Sequence, residues 1–99
     1  MNYNFSAAKN IRLMAERGVS FDEIIEAIEN GRVLDMCNHT NEERYPNQQL
    51  MMVEVKGYVY VVPFVKQENG VMFLKTIYPS RKAKKYYLRG GVYDTQKES

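Results

Sequence analysis

A serine and two cations stand together at Ser80, Arg81 and Lys82, within the stretch FLKTIYPSRKAKKYYL that runs from Phe73 to Leu88. Proline stops a β-ladder and serine is a preferred N-cap, so the spacing predicts a strand that ends at Pro79 and a short helix that begins at Ser80. A helix N-terminus already carries about half a positive charge and favours a carboxylate. Here Arg81 and Lys82 occupy that first turn. An anion would relieve the crowding of positive charge, because the Ser80 hydroxyl, the free N–H groups of the first turn and two cationic side chains make a phosphate cradle.

The second concentration of reactive groups is the polar segment Asn38 to Asn47, where His39, Glu42, Glu43, Arg44 and Tyr45 fall within seven positions. Metal-free cleavage of RNA would proceed by attack of a ribose 2′-hydroxyl on the adjacent phosphate. It needs a proton acceptor, a proton donor for the leaving oxygen, and cations around the phosphorane. Arg81 is the first cation candidate because its planar fork matches a phosphate bidentately, with Lys75, Lys82 and Arg44 behind it. His39 and Glu43 are the candidate acid and base, with Tyr78 and Tyr86 after them.

The elements that must position these groups follow from pattern and punctuation. Asn2 to Phe5 reads as a short edge strand. Ser6 caps a helix through AAKNIRLMAER that stops at Gly18, with Ala8, Ile11, Met14 and Ala15 as its apolar stripe. Ser20 and Glu23 form a capping box for a second helix, Phe21 to Asn30, whose stripe is Phe21, Ile24, Ile25 and Ile28. The two helices make a hairpin. Arg32 to Cys37 reads as a strand, with Cys37 a buried small hydrophobe rather than a nucleophile. Gln48 to Val55 and Tyr58 to Val65 alternate with period two around a turn at Lys56 and Gly57, the second with Val59, Val61 and Val65 on one face and Tyr58, Tyr60, Val62 and Phe64 on the other, and Pro63 predicts an edge position or a bulge. A last strand spans Val71 to Tyr78.

The expected fold is therefore α+β: an N-terminal helical hairpin packed on the valine face of a three- to four-stranded antiparallel sheet, then a short C-terminal helix. The opposite face would carry Glu54, Tyr58, Tyr60 and Lys75. Tyrosines that stack on bases, beside a basic helix, suit single-stranded RNA. Lys82, Lys84 and Lys85 would then hold the RNA backbone. Residues 1–88 form the expected single domain, and 89–99 a mobile tail docked at most through Tyr93.

Composition narrows the choices. The chain has 99 residues, one cysteine, one histidine and a net charge of +2. That excludes an internal disulfide and argues against a structural zinc cluster or another cofactor site. No apolar run reaches the roughly 20 residues that span a bilayer and no signal-peptide pattern opens the chain, so a soluble cytoplasmic protein is expected. Charge is uneven: residues 1–55 hold five basic and nine acidic side chains, residues 56–99 nine basic and three acidic. The basic half suits polyanions.

The chain resembles the BrnT family of bacterial toxins, compact relatives of the RelE-type ribonucleases. The matching features are the phenylalanine and lysine of FSAAKN, RGVSF at Arg17 to Phe21 followed by acidic residues, ERY at Glu43 to Tyr45, a valine-rich hairpin, and PSRKAKKYY after the closing strand. The resemblance implies a RelE-like fold and a type II toxin that cleaves RNA without a metal. It also implies a ribbon-helix-helix antitoxin that neutralises the toxin and binds operator DNA as the joint complex. It places functional weight on Lys9, Arg44, Ser80 and Arg81. Where the family usually has Lys-His-Gly, this chain has Glu16, Arg17 and Gly18, so a role of that histidine is lost or passes to Arg17. A non-catalytic module of the same fold that binds an antitoxin or RNA is the competing expectation.

Overall fold

The computed structural model describes residues 2–88; the expected tail, Tyr93 included, lies outside them. The described residues form an α+β fold with three helices and a mixed six-stranded sheet. In order they are β1 (Tyr3–Asn4), α1 (Ala7–Arg17), α2 (Phe21–Glu29), β2 (Val33–Asn38), β3 (Gln48–Val55), β4 (Tyr58–Lys66), β5 (Met72–Leu74), β6 (Tyr78–Pro79) and α3 (Arg81–Leu88). The sheet order is β1-β5-β4-β3-β2, and β6 pairs with β4 beyond β5. It is wider than the expected three to four strands, because β1 adds a parallel pair to β5 and β6 continues the last strand after a break.

Local chemistry accounts for the helix ends. The Ser6 hydroxyl accepts from the Lys9 N–H, and Gly18 closes α1 at φ 68°, a left-handed position that glycine occupies without steric cost. Ser20 and Glu23 complete the capping box of α2. The β3–β4 hairpin turns on Lys56 and Gly57 at φ 52° and 80°, the paired positive values of a tight primed turn.

One core unites the helices with one side of the sheet. Leu13, Val19, Phe21, Ile24 and Ala27 pack with Met51, Val53, Val62, Phe64, Met72, Leu74 and Ile77. Burial at about 25 cal/mol per Å² of apolar area makes this cluster the main source of stability. Its composition corrects the assignment of faces. The side of β4 that meets the helical core carries Tyr60, Val62 and Phe64, not Val59, Val61 and Val65. The longer side chains bridge the gap between helix and sheet, and Tyr60 is half-buried among them. Val59 and Val61 are buried as well, on the opposite side, where α3 packs against β4. Glu54 pairs with Val59 and therefore shares that side, so Glu54 and Tyr60 do not form one platform.

Two further corrections concern exposure. Of the α1 stripe predicted to be buried, Ile11 is 69% and Met14 52% exposed, and Ala8 and Ala15 are exposed too; the helix enters the core through Leu13. Cys37 is exposed, because β2 is an edge strand left open along its outer half.

Pro63 sets the geometry next to the site. The register runs Phe64 with Leu74, then resumes at Val61 with Tyr78. Three steps on β4 thus face four on its partner, a one-residue bulge. Proline has no N–H to donate to the ladder. Its carbonyl accepts from the Lys75 N–H at 2.8 Å, after which Lys75 to Ile77 leave the strand. Ile77 turns into the core, and the Arg17 guanidinium donates to its carbonyl at 2.5 Å. Arg17 thus ties the end of α1 to the segment that leads into Tyr78.

Candidate functional site

The bulge places Lys75 and Thr76 over Pro63 at the mouth of a cleft of about 330 Å³, which Lys9, His39, Tyr45, Gln48 and Tyr78 also line. Five separate stretches of chain meet there: the first turns of α1, the connection from β2 to β3, the start of β3, the centre of β4 and the β5–β6 break. Bulges beside sites commonly re-aim side chains in this way.

The wall formed by residues 39–47 is held by its own hydrogen bonds. The His39 N–H donates to the Gln48 carbonyl, and the Tyr45 N–H to the Asn41 carbonyl, both at 3.0 Å. The Asn41 side chain accepts from the Arg44 N–H. The His39 and Tyr45 rings lie 4.4 Å apart between centroids, and the Arg44 guanidinium sits 5.5 Å from the Tyr45 ring. His39 Nδ1 accepts the Asn41 N–H at 3.0 Å. In the neutral ring the proton then resides on Nε2, so the free edge of the imidazole is a donor.

The remaining cleft groups are cations and a phenol. Burial pushes the Tyr78 phenol above its ordinary pKa, so it is held as a hydrogen-bond donor. Lys9 and Lys75 bring two positive charges, and among the described residues no carboxylate lines the cleft. Donors and cations without an anion are what a phosphate group requires.

A second cleft of about 390 Å³ shares Lys9 and Lys75 and adds Arg12, Ser6, Ala8 and Phe73. The Lys75 ammonium lies 5.6 Å from the Phe73 ring. The two clefts form one cationic groove between α1 and the broken strand.

Of the residues singled out from sequence, Lys9, His39, Lys75 and Tyr78 meet in the first cleft. Arg44 stands behind its wall on Tyr45, and Glu43 is exposed on the same turn, outside the lining. Ser80 is the N-cap of α3, its hydroxyl accepting from the Ala83 N–H at 3.0 Å. Arg81, Lys82 and Lys85 are exposed on α3, outside the lining of either cleft. Tyr58 is exposed and takes the Lys84 ammonium over its ring at 4.3 Å. Tyr60, raised in pKa by burial first and then by Glu23, belongs to the core side. Gln48 and Thr76 line the cleft without having been singled out, and Tyr45, named in the polar segment without a role, lines it too. For Thr76 the signal was Pro63: a proline-induced bulge throws out the residues opposite it.

Among the described residues no helix is long and apolar enough to cross a membrane, and no three His, Cys, Asp or Glu side chains gather as a metal would require. No curated protein and no solved structure matches the chain. Residues 11–79 match the model of a family described as a domain of unknown function, DUF4258. The match runs from α1 through β6, so it contains His39, Tyr45, Lys75 and Tyr78 and leaves Lys9 and Arg81 outside. Since it spans more than half of the chain, the protein belongs to the DUF4258 family.

Proposed function

We propose that the protein is the ribonuclease toxin of a type II toxin–antitoxin pair, BrnT-like within the RelE class, and that it cleaves RNA by attack of a 2′-hydroxyl without a metal. The observation that carries this is the convergence of Lys9, His39, Lys75 and Tyr78, distant in sequence, on one anion-compatible cleft. Lys9 and Lys75 stabilise the charge that builds on the phosphorane oxygens. His39, through Nε2–H, and Tyr78 serve as donors, one of them to the leaving 5′-oxygen. The 2′-hydroxyl proton is assigned to Glu43, the carboxylate two residues before the cleft-lining Tyr45. Arg44, Arg81, Ser80, Lys82 and Lys85 are assigned to the RNA backbone on either side, together with the exposed ring of Tyr58.

The same proposal supplies a partner. The exposed Ile11 and Met14 are an apolar surface that the described residues leave uncovered. A ribbon-helix-helix antitoxin is assigned to it, and operator DNA is bound through that complex in the cytoplasm.

Induced expression is expected to arrest growth. Purified protein in EDTA is expected to release fragments with 2′,3′-cyclic phosphate ends from bulk RNA. Lys75→Ala should lower the rate about 10²-fold, the scale for loss of one group that stabilises a transition-state oxyanion, with circular dichroism unchanged. Activity that disappears in EDTA and returns with magnesium would refute the metal-free route. A second reading, a non-catalytic module of the same fold, is favoured by a cleft whose lining, among the described residues, holds no carboxylate. Intact RNA combined with tight antitoxin binding would establish it.

A further inference from the structure

A third cleft, of about 590 Å³, opens on the far side of Gln48, which it shares with the cationic cleft. Its chemistry is different. Asn38, Asn47 and Gln49 line one concavity, with Glu42 and Lys66 at its margin, and Gln48, next to Gln49 on β3, points to the other face of the strand. Among the described residues none of these three side-chain amides takes a protein hydrogen-bond partner, and those of Asn38 and Asn47 are exposed. Asn38 and Gln49 face each other across the β2–β3 pair, so two of the amides are fixed by sheet register rather than by a loop. Asn47 is held at φ 67°, a left-handed conformation that asparagine tolerates better than other side-chain-bearing residues.

Carboxamides pair a donor and an acceptor in one plane, and Asn and Gln are the residues that match adenine bidentately. In single-stranded RNA the base edges are free to be read in this way. An adenine presents its amino donor beside a ring acceptor on both edges. The Glu42 carboxylate accepts a further amino hydrogen and opposes the keto oxygens of uracil and guanine. Phosphate contacts position a strand, and base contacts specify it.

We propose that this amide-lined cleft is a base-reading subsite that selects an amino-bearing base, adenine or cytosine, over uracil and guanine next to the phosphate held by Lys9 and Lys75. The inference rests on the RNA-cleaving assignment of the neighbouring cleft and adds to it the residues that set sequence preference: Asn38, Asn47 and Gln49, with Glu42 against keto bases.

The test compares two fluorescein-labelled oligouridylates, one carrying a single internal adenosine. Each is made as RNA and as 2′-O-methyl RNA, which lacks the attacking hydroxyl. Cleavage beside the adenosine is expected to be about tenfold faster than at the matching uridine, and the 2′-O-methyl strand with adenosine to bind about tenfold tighter, within the range of one bidentate pair. In the double variant Asn47→Gly/Gln49→Ala both ratios should fall below about twofold; glycine keeps the left-handed turn, and circular dichroism checks the fold. Equal cleavage and binding of the two strands by the native protein would overturn the inference while leaving the nuclease standing, as would a preference that survives in the folded double variant. Intact RNA with an adenine binding preference that the double variant loses would refute the nuclease and uphold the subsite. Failure to bind either strand would overturn both.

Discussion

The helices α1 and α2 carry apolar residues at similar spacing and meet opposite fates. Phe21, Ile24 and Ala27 of α2 are buried, with Ile25 and Ile28 packed at the margin. In α1 the stripe of Ile11 and Met14 faces outward, and the helix meets the core through Leu13 and through polar ties: Asn10 Oδ1 accepts the Phe21 N–H at 2.7 Å, and Arg17 holds the Ile77 carbonyl. The difference teaches that helical periodicity reports a face able to be covered, not what covers it. The inward face of α1 serves the site instead, since its first turns bring Lys9 into both clefts and Arg12 into the second.

The comparison breaks most visibly in stability. Phe21→Ala should cost about 3–5 kcal/mol and Ile24→Ala about 2–5, through lost burial and the cavity left behind. Ile11→Ala and Met14→Ala should each stay within about 0.5 kcal/mol, as exposed positions do. Urea denaturation of the four variants measures this directly. A cost at Ile11 matching that at Ile24 would mean that α1 packs its stripe in solution.

The caps sharpen the same contrast on a smaller scale. Ser20 is 8% exposed, and its capping box satisfies two N–H groups reciprocally, whereas Ser6 is exposed and serves one. Ser20→Ala should cost about 1–2 kcal/mol, since a buried N–H loses its partner, and Ser6→Ala about 0.5–1. Hydrogen exchange should speed up through α2 in the first variant and only in the first turn of α1 in the second. Equal losses would make the two helix starts equivalent.

How far the sequence carried follows from which interactions are local. Caps, turns and helix ends were legible because Ser6, Ser20, Gly18 and Lys56-Gly57 act on their immediate neighbours. The faces of β4 were not. Both of its sides are buried, so alternation could not show which one meets α2, and the valines were the wrong guide beside Phe64 and Tyr60. The site was legible in part. Lys75, His39 and Tyr78 could be named as residue types, but their meeting depends on the one-residue bulge at Pro63 and on the folded-back wall from His39 to Tyr45, both set by tertiary contact. The helix start at Ser80 was legible as well, since its hydroxyl caps α3, with Arg81 beside it and outside the lining of either cleft.

Between the buried α2 and the half-docked α1 stands α3, which has no fully buried residue and adds two polar contacts to its packing on β4: Lys84 on the Tyr58 ring, and Tyr87, whose hydroxyl donates to Asp35 Oδ2 on the edge strand β2 at 2.5 Å. That last contact has a pH signature. The hydrogen bond from Tyr87, followed by that from the Met36 N–H, holds the Asp35 carboxyl below its ordinary pKa. The Tyr87 phenol is pushed up to about 12, first by the hydrogen bond it gives to Asp35. For the depressed carboxyl, the tie is fully present above the ordinary carboxylate pKa of about 3.9 and is lost as pH falls through the lower folded value; for the raised phenol, it is present below about 10 and lost as pH rises through about 12. Tyr87→Phe should therefore bring the Asp35 carboxyl back up toward its ordinary pKa, short of the full distance because the Met36 N–H still donates. NMR titration of the side-chain carboxyl measures the shift. Amide exchange across α3 should quicken below the carboxylate range in the native protein, while the centre of α2, anchored by the buried Phe21 and Ile24, keeps its protection at the same pH. An Asp35 titration identical in Tyr87→Phe and native protein would show that α3 is held to β2 by packing alone, which would place it with α2 rather than with α1.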